Sequence, residues 1–123
     1  MNSKVESQNG KKIVVMERTA QEIILQDVAS ALDLIMSVRY QYDTNCIAIE
    51  KSAIEEDFFR LSSGLAGEVL QKLINYNIKL AIYGDFSGYT SKPLQDFMRE
   101  SNRGKDVFFV GNATEAIRFL ANA

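Results

Sequence analysis

The sequence predicts an α/β fold with a mostly parallel sheet and helices as its cover. Short apolar runs, Cys46-Ile47-Ala48-Ile49, Ile78 to Tyr83 and Val107 to Val110, alternate with segments whose apolar residues recur at helical spacing. Strands apolar at every position are covered on both faces, as parallel strands are. Near the start, Asn9-Gly10 stands between two short flanks, and this dipeptide takes the positive φ angles of a type I′ turn. The 123 residues suit one domain, and 7 Gly with 1 Pro leave no linker to divide them. There is no internal repeat and no low-complexity tract.

The elements follow in order. Ser3 to Gln8 and Lys11 to Arg18 form the hairpin, with Ile13-Val14-Val15-Met16 as its stronger strand. Ile23-Ile24-Leu25 leads to Asp27, which caps a first helix over residues 27–40 carrying Val28, Ala31, Leu32, Ile35 and Met36 inward. After the strand at Cys46, Ser62 or Ser63 caps the second helix. Its apolar stripe is Ala66, Val69, Leu70 and Leu73, and Gly64, Glu68, Gln71, Lys72 and Asn75 form its other face. Gly67 is expected to allow close packing of this helix on the sheet. Asn75 or Asn77 ends the helix in left-handed backbone. Beyond the strand ending at Tyr83, Gly84 to Thr90 is a polar loop, and Ser91 caps a third helix with Pro93 in its first turn. Leu94, Phe97 and Met98 face inward, and Gly104 suits the position after the helix end. Asn112 with Glu115 starts the last helix, which carries Ala116, Ile117, Phe119 and Leu120. The result is a hairpin followed by αβαβαβα.

Composition excludes several classes of function. Lys and Arg total 14 against 16 Asp and Glu, too balanced for a nucleic-acid binder or a membrane-surface protein. The chain has no histidine, which removes Ser-His and Cys-His catalysis and histidine metal sites. Its one cysteine, Cys46, forms no intramolecular disulfide and sits in an apolar strand. The polar N-terminus lacks a signal-peptide core, and no stretch approaches a membrane span, so a cytoplasmic protein is expected.

In a parallel sheet, ligands bind at the carboxyl ends of the strands. This rim holds Lys51, the Asp57 to Gly64 segment, the Asp85 to Lys92 loop and Asn112 to Thr114. Two helix N-termini there offer N–H groups to an anion. A phosphate on Ser62 or Ser63 would gain from the helix charge; the plainer role is an N-cap. The loop Gly84-Asp85-Phe86-Ser87-Gly88-Tyr89-Thr90-Ser91-Lys92 is the densest polar cluster, with Asp85, Ser87, Tyr89, Ser91 and Lys92 as candidate ligands for a phosphate or a partner. It has neither P-loop spacing nor a Gly-x-Ser-x-Gly elbow. A Ser-Lys dyad from Ser87 or Ser91 with Lys92 competes with a simple strand-to-helix connection. Gly64 and Gly67 lack the third glycine of a dinucleotide fingerprint. Phe58-Phe59 closes the core beneath a loop or forms an exposed anchor. Glu50, Glu55, Glu56 and Asp57 are acidic enough for Mg²⁺, but three adjacent carboxylates are more often a solvated surface.

Two resemblances narrow the reading. Phe58 to Lys72 (Phe-Phe-Arg-Leu-Ser-Ser-Gly-Leu-Ala-Gly-Glu-Val-Leu-Gln-Lys), Asn75-Tyr76, Leu80 to Ser87, Ser91-Lys92 and Glu100-Ser101-Asn102-Arg103-Gly104 resemble the bacterial family catalogued as domain of unknown function 4180. More distantly, the element order and Leu61-Ser62-Ser63-Gly64-Leu65 resemble STAS domains (sulfate transporter and anti-sigma factor antagonist). The STAS resemblance implies a single-domain switch with a serine at the helix start phosphorylated by a kinase. Ser62 and Ser63 match those positions, while Leu61 replaces the family's aspartate.

Two functions from different classes follow. One is a non-enzymatic regulatory or protein-interaction module with a STAS-like fold. Its contact surface would be Ser62, Ser63, Gly64, Glu68, Gln71 and Lys72 with the Asp85 to Lys92 loop. The other is a small-ligand binder or weak enzyme, holding a phosphate-bearing metabolite or nucleotide at Asp85, Ser87, Ser91 and Lys92. No cofactor or metal is implied. The expected partner is an unidentified protein, with homodimerisation through the hairpin or an edge strand as a further possibility.

Overall fold

A computed structural model describes residues 2–20 and 22–123. The chain folds as a five-stranded sheet in the order β1-β2-β3-β4-β5. The strands are β1 (Asn2–Gln8), β2 (Lys11–Glu17), β3 (Cys46–Glu50), β4 (Lys79–Tyr83) and β5 (Val107–Val110). The helices are α1 (Val28–Tyr42), α2 (Leu65–Asn75), α3 (Lys92–Arg103) and α4 (Ala113–Ala121). β1 and β2 are antiparallel and the other pairs parallel.

The hairpin forms for the expected reason. Asn9 and Gly10 have φ of 54° and 76°, and Gln8 pairs with Lys11 across the two-residue turn. β1, the weaker flank in sequence, is paired along its whole length.

Period-two alternation divides the strands between two cores. Val14, Met16, Ile47, Ile49, Leu80, Ile82, Val107 and Phe109 lie beneath α1, α2 and α3. Ile13, Val15, Cys46, Ala48, Ala81, Tyr83, Phe108 and Val110 lie beneath α4. Each step from β2 to β5 moves in one direction, so right-handed crossovers place the first three helices on one face. After the last strand no crossover remains, and α4 returns across the opposite face. Ala48, Ala81, Ala116 and Ala121 are small, which lets this single helix lie close to the strands.

Caps define the helix ends. Asp27 and Ser30 form a reciprocal capping box at α1. Ser91 accepts from Leu94 N–H at α3, and Asn112 accepts from Glu115 N–H at α4. α2 ends in a Schellman motif, with Asn77 at φ 61°, Asn77 N–H bonded to Ile74 O and Ile78 N–H to Leu73 O.

Four sequence expectations need correction. Met36 faces solvent, 56% exposed; Leu34 and Val38 take the inward positions beside Ala31 and Ile35. The N-cap of α2 is Gly64, at φ 78°, rather than Ser62 or Ser63. Gly67 lies on the exposed face of α2, where an added Cβ would touch nothing, so it serves no close packing. Gly104 follows α3 in extended rather than left-handed backbone.

Candidate functional site

The site is built where β3 and β4 end side by side. Beyond β3 the chain makes three 3₁₀ turns, Lys51–Ala53, Glu56–Phe59 and Leu61–Ser63, before entering α2. Beyond β4 it runs through Gly84 to Ser91 into α3. Parallel pairing of Glu50 with Tyr83 brings both exits to one rim.

Aromatic rings join the two segments. Phe58 and Phe59 are buried and close the core under the rim. Phe59 stacks on Tyr89, with centroids 5.1 Å apart and planes 23° from parallel. Phe86 packs edge-on against Phe109 at 5.8 Å, anchoring the loop to β5. Lys51 places its ammonium 4.8 Å from the Tyr89 ring centroid, a cation–π contact. The Tyr89 hydroxyl donates to Glu56 at 2.8 Å. Burial, followed by this bond and the Glu56 charge, pushes the Tyr89 phenol up, so it stays a donor.

The two segments enclose an open concavity of about 510 Å³. Glu56, Asp57, Phe59, Arg60, Leu61 and Ser62 line it from the β3 side, and Tyr89, Ser91 and Pro93 from the β4 side. Phe59, Leu61, Tyr89 and Pro93 provide its apolar surface; Glu56 and Asp57 provide an acidic lip. Arg60 pairs with Asp57 at 2.9 Å, and both are exposed.

Of the contact candidates read from sequence, Ser62, Tyr89 and Ser91 meet in this concavity, together with Glu56 and Asp57 of the acidic run and Phe59 of the aromatic pair. The two serines before α2 have different duties. Ser63 donates to Asp57 O at 2.7 Å and accepts from Leu65 N–H, tying the turn to the helix. The Ser62 hydroxyl is exposed on the lining and bonds to no described residue. Asp85 accepts from Ser87 N–H at 2.9 Å in a turn at the loop's base. Hydrogen bonds from the Ser87 hydroxyl and N–H, with a smaller contribution from Lys51, hold the Asp85 carboxyl below its usual range. Lys92 turns away to Asp96 at 2.9 Å while Ser91 caps α3, so the Ser-Lys dyad does not form. Gly64 is the cap of α2; Glu68 and Gln71 lie exposed further along the helix, and Lys72 is half-buried there. None of these four lines the concavity.

Sequence reasoning placed Arg60 and Leu61 on the rim within the Asp57 to Gly64 segment and noted Glu56 as an acidic candidate, but it gave Pro93 no role beyond the first turn of α3. For Arg60 and Leu61 the sequence signal was position, between a strand end and a helix start. Among the described residues, no three His, Cys, Asp or Glu side chains gather as a metal site. Burial raises the Cys46 thiol above its ordinary value, against smaller opposing effects of Lys11, Thr44 and Lys79. Among the described residues no helix is long and apolar enough to cross a membrane.

With this geometry in view, comparison with protein families is informative. A family model described as Domain of unknown function (DUF4180) matches residues 8–120. The chain belongs to this family. The match takes in β2 through α4, and therefore both segments of the DUF4180 rim. No curated protein and no solved structure matched the chain.

Proposed function

We propose that this DUF4180 domain is a non-enzymatic regulatory or interaction module of STAS-like type, which receives a segment of a partner protein in the rim concavity. One observation carries the reading: two separate segments converge on an apolar floor, Phe59 stacked on Tyr89, beneath an acidic lip. Such a surface suits an apolar side chain flanked by a hydrogen-bond donor or a cation. The charged groups around it are already engaged: Glu56 with Tyr89, Asp57 with Arg60, Asp85 with Ser87, Lys92 with Asp96. A phosphate-bearing ligand would have to displace the anions or the ring from Arg60, Lys92 and Lys51, which favours the interaction reading over the small-ligand one. Ser62, exposed on the lining with an uncommitted hydroxyl, is the switch position within this proposal. A phosphate there would alter the charge of the lip.

The test is affinity recovery of the tagged chain from its own cells. Ser62→Arg obstructs the concavity, and Glu68→Ala with Gln71→Ala strips the exposed face of α2. A protein retained by the wild type and lost with Ser62→Arg, at an unchanged melting temperature, supports the proposal. Loss with the α2 variant as well extends the contact along the helix. Unchanged recovery with Ser62→Arg overturns it.

A further inference from the structure

The two edges of the sheet are finished differently. At β5 the Asn102 amide reaches over from α3 and bonds both Phe109 C=O, at 2.9 Å, and Phe109 N–H, at 2.6 Å. That edge is thereby capped at Phe109. At the other end β1 is exposed at every residue but the half-buried Glu6, contains no proline, and keeps an unbroken one-to-one register with β2. Natural edge strands are usually shortened, bulged or interrupted by proline against further pairing. β1 has none of these, although it carries one lysine, Lys4.

β1 is also complementary to itself. Asn2-Ser3-Lys4-Val5-Glu6-Ser7-Gln8 reads, from either end, amide, hydroxyl, charge, Val5, opposite charge, hydroxyl, amide. We propose that β1 is a homodimerisation strand, pairing antiparallel with β1 of a second copy about a two-fold axis through Val5. This surface is separate from the rim.

Backbone parity agrees with that axis. Across a two-residue type I′ turn the flanking residues, Gln8 and Lys11, exchange both backbone bonds. Counting back, Glu6, Lys4 and Asn2 also turn their N–H and C=O groups toward β2. Ser7, Val5 and Ser3 turn theirs to the open edge. In the proposed register Val5 exchanges bonds with Val5 of the copy, and Ser3 exchanges them with Ser7 in both directions. All the free groups of the edge find partners.

Side chains agree as well. Lys4 stands opposite Glu6 of the copy, and Glu6 opposite its Lys4. Cross-strand opposite charges stabilise a pair and like charges destabilise it. Lys4 and Glu6 lie on the α4 face, across from Val15 and Ile13, and are 3.7 Å apart within one strand. Pairing would turn them into a ring of four alternating charges. Val5, 42% exposed on the other face, would cover its own counterpart. The product is one sheet continuous through both copies, with the Asn102-capped β5 edges at its ends. The isologous contact closes on itself and does not propagate.

The experiment is sedimentation of the full chain over a concentration series, with melting temperatures as the folding control. Val5→Pro removes an outward-facing donor, which an edge strand tolerates, so the hairpin survives. The wild type should dimerise, and Val5→Pro should weaken dimerisation by about tenfold or more. Lys4→Glu alone and Glu6→Lys alone should each place like charges opposite one another and behave as monomers. Mixing those two proteins should restore the dimer as a heterodimer, a pattern specific to this register. A monomeric wild type, a dimer indifferent to Val5→Pro, or single-charge variants that show no preference for each other would overturn the proposal.

Discussion

At Gly84 the chain leaves β4 with φ of +154° and passes so close to Lys51 that an added Cβ would stand 2.8 Å from the Lys51 Cβ. The neighbour is the root of a side chain, which cannot swing aside. Only glycine lets the β4 exit lie beside the β3 exit, and Lys51 then reaches over Tyr89. Gly84→Ala is expected to lower stability by about 1–3 kcal/mol, measured by denaturant unfolding, and to move Lys51 off the ring. In sequence Gly84 was legible as a loop glycine but its neighbour was not, because Lys51 follows a different strand. Asn102 is similar. It reads as one of several polar residues near a helix end, and only the fold brings its amide to Phe109.

Between β3 and α2 the chain advances by three short 3₁₀ turns, and these decide what each serine does. Ser63 holds Asp57 O and Leu65 N–H together, so Ser63→Ala should cost about 1 kcal/mol. Ser62→Ala should change stability by less than about 0.5 kcal/mol. Chemical denaturation of the two variants side by side checks this. Equal effects would show that the serines share one structural role. The serine pair was legible in sequence as a helix start. Which member works for the fold was not, because αL geometry at Gly64 moved the cap by one or two residues. The end of α2 was more legible, since Asn77 carries its own preference for left-handed backbone.

The whole sheet is covered unequally, by three helices on one face and by α4 alone on the other. Tyr83 lies on the α4 face and donates its hydroxyl to Met16 O at 3.2 Å, bonding β4 to β2 across β3. Burial, with Glu17 and Glu50 adding to it, raises its phenol from 10.0 to about 12. A raised folded value favours the protonated folded state. The stabilisation is therefore full below pH 10 and is lost as pH rises toward and through 12. The wild type should lose stability across that window. Tyr83→Phe should be less stable at neutral pH by about 1 kcal/mol, from the lost bond, and should show a shallower alkaline decline. Denaturant midpoints measured over a pH series would show both effects. A decline as steep as the wild type's would mean that Tyr83 is not the group responsible.

The sequence by itself determined the element order, the parallel sheet with its hairpin, the cover on both faces of β3, β4 and β5, and three of the four helix starts. Those signals are local: a short continuous apolar run, a period near 3.6, a turn dipeptide, a capping side chain. The tertiary structure alone decided that residues 56–62 meet Tyr89, Ser91 and Pro93 around one concavity. It also decided that Met36 faces water, that Ser63 rather than Ser62 ties the turn to α2, and that Asn102 caps one sheet edge at Phe109 while β1 forms the other edge. These depend on contacts between segments distant in the chain. Such contacts have no period and no local signature, and form only when parallel pairing sets the strand ends side by side.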